Sequence, residues 1–340
     1  HRASAIALDQ ALEELFPGEF EVEVVDIWTN HGSWPFNRFV PSYRFLAKKP
    51  FLWRLSYAYA RFPPTRIATE ILSGFTCYQS FRRLIESSNP DMVVSVHPLC
   101  QHLPVPIVKR LNSRRDSSKL PISFITIVTD LGGAHETWFH RGVDKTFVPS
   151  SAVEKIAKKQ GIKPENIIKH GLPIRPPFWK EGTSKRQTRK ALGIEENSET
   201  VLLMGGGDGV GGLNAIAGAI SDKLRQINRA TQIIVVCGNN EAAQRSLKNT
   251  KWPSNVNVVV KGFCDNVDEL MAASDCLVTK AGPGTIAEGM SRGLPIVLSS
   301  FLPGQEEGNV PYVTEKGIGV YSGNKPEKIA AHVKNILEDG

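Results

Sequence analysis

From residue 200 onward the chain repeats one pattern, a short apolar run followed by a stretch with helical spacing. Residues 200–204, 232–236, 256–260, 276–278 and 295–298 read as strands with helices between them. Strands separated by helices cannot pair as hairpins, so the alternation predicts a parallel, doubly wound sheet, which binds ligands at the carboxyl ends of its strands. The fourth strand runs into Thr279-Lys-Ala-Gly-Pro-Gly-Thr-Ile-Ala-Glu288, a Gly/Pro loop that opens a helix near Thr285. Free backbone N–H groups and the positive end of a helix dipole converge there, which suits a phosphate. Glu288 lies one turn further on, where a carboxylate reaches a ribose hydroxyl. The next strand is followed by Pro303-Gly-Gln-Glu-Glu-Gly-Asn309, in which Gln305 and Glu306 are hydrogen-bonding groups suited to a sugar. Phosphate, ribose and sugar together describe a nucleotide-sugar; a tight turn with no ligand is the plain alternative.

A second glycine loop, Gly205-Gly-Gly-Asp-Gly209, follows the strand at 200–204. It lacks the Lys-Ser/Thr of a P-loop, which disfavours ATP hydrolysis. It also differs from the GxGxxG dinucleotide fingerprint, and no acidic residue closes a following strand at the expected distance, which disfavours a dehydrogenase.

The first half also alternates. A helix is expected over 3–16 and strands over 20–27, 92–96 and 122–129, the last two ending in His97 and Asp130. Between 28 and 74 the pattern lapses into aromatics and prolines, including Trp34, Phe45, Phe51, Trp53 and Tyr59. This insertion reads either as core-packed helices or as an acceptor region that engages lipid, since Trp, Tyr and Lys together favour a bilayer interface. Three prolines in Gly171-Leu-Pro-Ile-Arg-Pro-Pro-Phe178 mark a link, so domains are expected at 1–172 and 173–340.

Apolar content of 41% and charged content of 22% describe a globular chain, and a length of 340 residues favours two domains. No run approaches the roughly 18 apolar residues of a membrane span, and no signal or transit peptide is visible. The net charge of +7 is spread over basic clusters without interleaved stacking aromatics, which argues against nucleic acid; an anionic membrane surface fits the whole better, while for each cluster alone a solvated helix face is the plain reading. The five cysteines are isolated and odd in number, and the eight histidines show no ligand spacing, so free buried thiols and no structural metal are expected.

Blocks from one end of the chain to the other carry a resemblance. They include His1-Arg2-Ala3-Ser4-Ala5, Trp34-Pro-Phe-Asn37, Ser95-Val-His-Pro-Leu99, Val128-Thr-Asp-Leu131, Thr137-Trp-Phe-His140, Leu203-Met-Gly-Gly-Gly207 and Lys280-Ala-Gly-Pro-Gly284. On these the chain resembles the monogalactosyldiacylglycerol synthases of plant plastids, relatives of the peptidoglycan N-acetylglucosaminyltransferases. The resemblance implies the GT-B fold, two Rossmann-like α/β domains facing a central cleft, with the acceptor on the N-terminal and the UDP-sugar on the C-terminal domain. It also implies that a strand and a Gly-Gly-Gly turn precede His1, so the numbered chain is expected to start inside a motif.

The implied reaction is an inverting transfer of galactose from UDP-galactose to the hydroxyl of 1,2-diacylglycerol. The leaving diphosphate is expected at Gly282, Gly284 and Thr285, with Gly205, Gly206 and Gly207 as a second loop. Uracil is expected against Gly262 and Phe263, and Glu288, Gln305, Glu306 and Asn309 complete the donor set. The resemblance places His1 at the cleft as general base, for which an imidazole of unperturbed pKa about 6.5 is suited; Asp130 is the alternative base or the group that orients a histidine. Trp34, Pro35, His97, His135 and Trp138 are expected at the acceptor or lipid face, although a structural histidine is the plain reading of His97. Gly132-Gly133-Ala134 and Glu136 depart from the pattern expected of higher-plant forms.

No cofactor and no essential metal are expected. The expected partners are the two substrates and a membrane containing phosphatidic acid or phosphatidylglycerol, at the plastid envelope as a peripheral protein. Glucose in place of galactose, a non-catalytic lipid-binding role, and a homodimer stay open.

Overall fold

The structure, a computed structural model, describes residues 1–340 except 48, 181, 206–211, 228 and 340. It divides into two units, His1–Pro173 with Leu302–Gly308, and Ile174–Phe301 with Asn309–Gly340. Each is an α/β unit around one parallel sheet.

The first unit carries four strands in sequential order, β1 (Met92–Ser95), β2 (Ser123–Ile127), β3 (Lys145–Val148) and β4 (Ile167–Lys169). All pair in parallel, with Val94 opposite Ile125 and Phe147 opposite Ile168. Parallel neighbours need crossovers, and helices Pro104–Asn112 and Ser151–Lys159 supply two of them. The second starts where the Ser150 hydroxyl accepts from Val153 N–H, satisfying one of the unpaired donors of the first turn. Trp28, Phe36, Phe81, Ile107 and Phe124 form the core beneath.

The expected strand at 20–27 is not a strand. Residues 20–26 have no regular structure, and the helix Ile27–His31 begins under the cap that Asp26 provides to Thr29 N–H. The alternation Phe20, Val22, Val24 has the right period, but a ladder needs a partner, and none pairs with this segment. These three side chains are exposed, as are Met92 and Val94 on the sheet's edge strand β1.

The insertion at 28–74 is helical, with helices Phe39–Ala47, Pro50–Arg61 and Pro63–Ser88, the last two starting on prolines, which helix first turns tolerate. Its side chains fall into two groups. Trp28, Phe36 and Trp53 are buried, whereas Trp34, Phe45, Phe51, Leu55, Phe62 and Phe75 stand in solvent.

The second unit has six parallel strands, β5 (Glu199–Met204), β6 (Thr231–Val236), β7 (Val256–Lys261), β8 (Cys276–Thr279), β9 (Ile296–Leu298) and β10 (Gly319–Tyr321). Their order is β10-β9-β8-β5-β6-β7. The first five are the strands expected from the sequence; β10, only three residues long, was not expected. Chain direction across the sheet reverses between β5 and β8, the topological switch point where doubly wound sheets bind ligands. Strands buried on both faces read as near-continuous apolar runs, and β5, β6, β8 and β9 do so. Helices Leu213–Leu224 and Pro326–Asp339 pack on each other and on this sheet through Ile216, Ile220, Val333 and Leu337.

Candidate active site

At the carboxyl end of β2, Val128 still donates to the Phe147 carbonyl, after which Thr129 and Asp130 leave the sheet. Asp130 is 7% exposed, and its Oδ2 accepts a 2.6 Å hydrogen bond from Trp138 Nε1. Burial pushes the Asp130 carboxyl up to about 6, the indole N–H opposes that rise, and the nearby Glu306 carboxylate adds to it. His1 Nδ1 lies 2.8 Å from Thr129 Oγ1. The His1 ring stands edge-on to His97, centroids 4.6 Å apart, and to Trp138 at 5.6 Å. With Nδ1–H donating to Thr129, Nε2 keeps the lone pair that a base needs. His97 is held neutral, burial lowering it to about 4, and its Nδ1 accepts from Leu99 N–H. The structure thus gathers His1, His97, Asp130 and Trp138 of the expected set around one point, and adds Thr129, which the sequence reading quoted with Asp130 but gave no role.

Trp138 was expected at the acceptor or lipid face. It is fully buried, its ring packed with Val128 and Val148 and its N–H spent on Asp130, so it positions a carboxylate and presents nothing to a bilayer. His135 caps the short turn Glu136–Trp138, its Nδ1 2.9 Å from Thr137 Oγ1 and its ring edge against Tyr57. Burial lowers its pKa. Trp34 and Pro35 are exposed next to the buried Phe36.

The sequence reading assigned everything past residue 172 to the second domain, yet Leu302–Gly308 belongs to the first unit. Trp53 Nε1 donates to the Pro303 carbonyl at 2.9 Å, and Tyr57 lies so close to Gly304 that a Cβ there would come within 2.8 Å of its ring. A Cβ on Gly308 would fall 2.9 Å from the Gly132 and Gly133 backbone, so this contact needs glycine. The restriction falls on position 308, since a Cβ on Gly133 would meet Gly308 only at an ordinary 3.8 Å. The segment carries half-buried Gln305 and buried Glu306, whose Oε2 accepts from Leu302 N–H at 2.8 Å. Two residues expected to hold donor sugar therefore sit in the unit of Asp130, and Glu306 is near enough to influence its titration.

In the second unit, β8 ends at Thr279 and the helix Pro283–Ser291 starts on Gly282 as N-cap. Pro283 at the first position has no N–H to waste, and the N–H groups of Gly284 and Thr285 point out of the first turn with no intrahelical acceptor available to them. The loop is anchored through Ala281: its N–H donates to the Ser300 carbonyl at 2.7 Å, and its carbonyl accepts from Asn309 Nδ2 at 2.8 Å. Asn309, expected to touch donor, is 1% exposed and holds this loop through its Nδ2. Glu288 is pushed up to about 7 by burial, with Arg175 opposing and Asp268 adding to the rise. Arg175 lies in the proline-rich link and was given no role from the sequence. Gly205 follows β5 on the other side of the switch point, while Gly206 and Gly207 lie outside the described residues. Phe263 is 65% exposed just past β7, so its ring is not core, and Gly262 packs against the Gln244 side chain.

All five cysteines are free. Among the described residues no three His, Cys, Asp or Glu side chains gather to hold a metal, and no helix is long and apolar enough to cross a membrane.

Comparison with known proteins gives this geometry a family. Residues 1–174 match the model of monogalactosyldiacylglycerol (MGDG) synthase, and residues 200–339 match the glycosyltransferase family 28 C-terminal domain. This chain belongs to the monogalactosyldiacylglycerol synthase family. It is 42% identical over 344 aligned residues to monogalactosyldiacylglycerol synthase 1, chloroplastic, of Arabidopsis thaliana, covering 97% of this chain and 61% of that protein. The chain therefore spans about six tenths of that relative's length. A probable monogalactosyldiacylglycerol synthase 2, chloroplastic, of Oryza sativa subsp. indica is 39% identical, covering 98% of this chain and 70% of the relative. Among solved structures, Acinetobacter baumannii MurG superposes with a TM-score of 0.53 at 14% identity, covering 77% of this chain and 69% of that one. That likeness shows the GT-B fold, as the resemblance implied.

Proposed function

We propose that this chain transfers galactose from UDP-galactose to the free hydroxyl of 1,2-diacylglycerol with inversion, at a membrane surface. The observation that carries the reading is the cluster of His1, Thr129, Asp130 and Trp138 at the edge of β2, in a chain whose named relatives are monogalactosyldiacylglycerol synthases over nearly its whole length. The relatives' names also support a plastid location, with the exposed aromatics of the insertion resting on anionic lipid.

In the proposed reaction the diacylglycerol oxygen attacks the anomeric carbon of galactose. Its proton passes to His1 Nε2, whose other nitrogen is held by Thr129. Asp130, ionised above about pH 6, steadies the positive charge that develops on the imidazole. The bond from the sugar to the diphosphate breaks, and UDP leaves with its new charge against Gly282, Gly284 and Thr285, where the helix end acts without a metal. Glu288 receives the ribose hydroxyls, and the backbone at Gly262 and Phe263 receives uracil. Gln305 and Glu306 take the sugar hydroxyls.

The test is a transfer assay with diacylglycerol in mixed micelles, comparing UDP-galactose and UDP-glucose, without and with chelator. Galactolipid formation that survives chelation is the expected result. Glucose transfer alone would overturn the donor assignment, and UDP binding with no transfer from either sugar would overturn the reaction.

A further inference from the structure

A cavity of about 440 Å³ opens in the first unit, walled by helix Pro63–Ser88 on one side and by the segments around His102 and His140 on the other. We propose that it receives the glycerol end of an uncharged diacyl lipid, whose chains leave along the stripe Ile67, Ile71 and Phe75. This rests on the transferase reading above and names where its acceptor lies.

The lining offers hydrogen bonds without net positive charge. Arg66 is the cation at its mouth, and it is matched by Glu136 at 2.8 Å and by Glu70 at 3.8 Å. Burial lowers His102 to about 4 and also lowers His140, so both imidazoles are neutral near pH 7. Within the lining the Arg66 charge is matched, and Lys109 beside His140 lies outside it, so hydroxyl and ester groups find donors and acceptors where an anionic headgroup finds no unmatched lining cation.

Gln101 is the most specific of these. It is 1% exposed; its Nε2 donates to Ser95 Oγ and to the His97 carbonyl, while its Oε1 is buried with no partner. A buried acceptor left unmatched is costly, and a ligand hydroxyl removes that cost. Gln101 also ties the cavity wall to His97, whose ring lies against His1. The cavity's polar end is thereby linked to the proposed base.

The other end is apolar. Ile67 and Ile71 line the opening at a spacing of one helical turn, and Phe75, 91% exposed, stands a turn beyond. The volume holds a glyceryl ester head and the first few carbons but not two full chains, which must run outside along this stripe.

Ile67→Ser and Ile71→Ser change exposed side chains, so both variants are expected to fold, as circular dichroism and thermal midpoint will show. With dioctanoylglycerol as acceptor, each is expected to raise the acceptor KM about tenfold, in proportion to the apolar area lost, with kcat and the KM for UDP-galactose unchanged. In parallel, a diazirine-bearing diacylglycerol cross-linked to the wild-type chain is expected to label residues 67–71 or 136–140. Unchanged KM values, labelling elsewhere, or better competition by phosphatidic acid of the same chain length would overturn the inference. Labelling at the cavity in a protein that transfers no sugar would keep the lipid site and sink the transferase reading instead.

Discussion

At the end of β8, the groups proposed for a diphosphate and a ribose come from seven consecutive residues, Gly282 to Glu288, next to Ala281, which is anchored to Ser300 and by Asn309. At the end of β2, Asp130 is surrounded by His1, His97, Trp138 and Glu306, drawn from segments far apart in the chain. The first site is made chiefly of backbone, with one carboxylate added, and the second of side chains. A helix end binds an anion whichever side chains surround it, because its dipole and unpaired N–H groups are properties of the peptide unit. A proton-transfer site has no such generic solution; each group must be placed and its pKa set by burial and neighbours. The two edges should therefore fail differently when single atoms are removed.

The sharpest separation concerns His1 and Asp130. Replacing His1 with Ala or Asp130 with Asn is expected to lower kcat by about 10²–10⁴-fold with UDP affinity intact, and the double variant should be little worse than the poorer single one. Steady-state kinetics with calorimetric UDP binding checks this. Additive losses, or lost UDP binding, would mean that the two residues do not act as one unit at the acceptor end.

The converse variant is Glu288→Gln, for which a loss of UDP affinity of about 10- to 100-fold at pH 8 is expected, from charge-assisted hydrogen bonds worth about 1.5–3 kcal/mol. Its effect on stability runs the other way. The Glu288 carboxyl rises from 4.5 to about 7 on folding, so the folded chain binds the proton more tightly than the unfolded one. Stability contributed by this group is therefore lost as pH climbs through that window and stays lost above it. At about 1.4 kcal/mol per pH unit the upper bound is about 3 kcal/mol. Ligand-free Glu288→Gln should melt higher than the wild type at pH 8, with the difference vanishing below pH 4.5, as scanning calorimetry at the two pH values would reveal.

The smallest effect separates positioning from chemistry. Trp138→Phe removes the N–H that holds Asp130 ionised, so the acid limb of the transfer profile should move up by about one pH unit while the rate at pH 8.5 changes little. A uniform drop at every pH would instead mark Trp138 as core alone.

Legibility followed the same division. The strands β5 to β9 and the glycine helix start were readable because each signal, an apolar run or a Gly-Pro-Gly turn, is contained in a few adjacent residues. The strand expected at 20–27 has the correct alternation and failed because pairing is decided by a neighbour that local pattern does not contain. Trp138 was recognised as important but left between the acceptor and a lipid face, since an indole ring serves a bilayer interface and a buried carboxylate equally well; its burial against Asp130 decides against the lipid face. Asn309 was picked out as a donor ligand, but that its amide also ties down the Ala281 carbonyl depends on how the chain returns, which no local pattern carries.

The amino-acid order therefore sufficed for the two α/β units, the switch-point loop and the residue types the chemistry needs, because periodicity, turn residues and helix ends act over a few residues. Folding alone decided that Leu302–Gly308 joins the first unit through a contact only glycine permits, that Trp138 turns its N–H to Asp130, and that Gln101 keeps an unmatched oxygen in a cavity wall. Those outcomes depend on burial and on which distant segments meet, and neither quantity is carried by any one stretch of sequence.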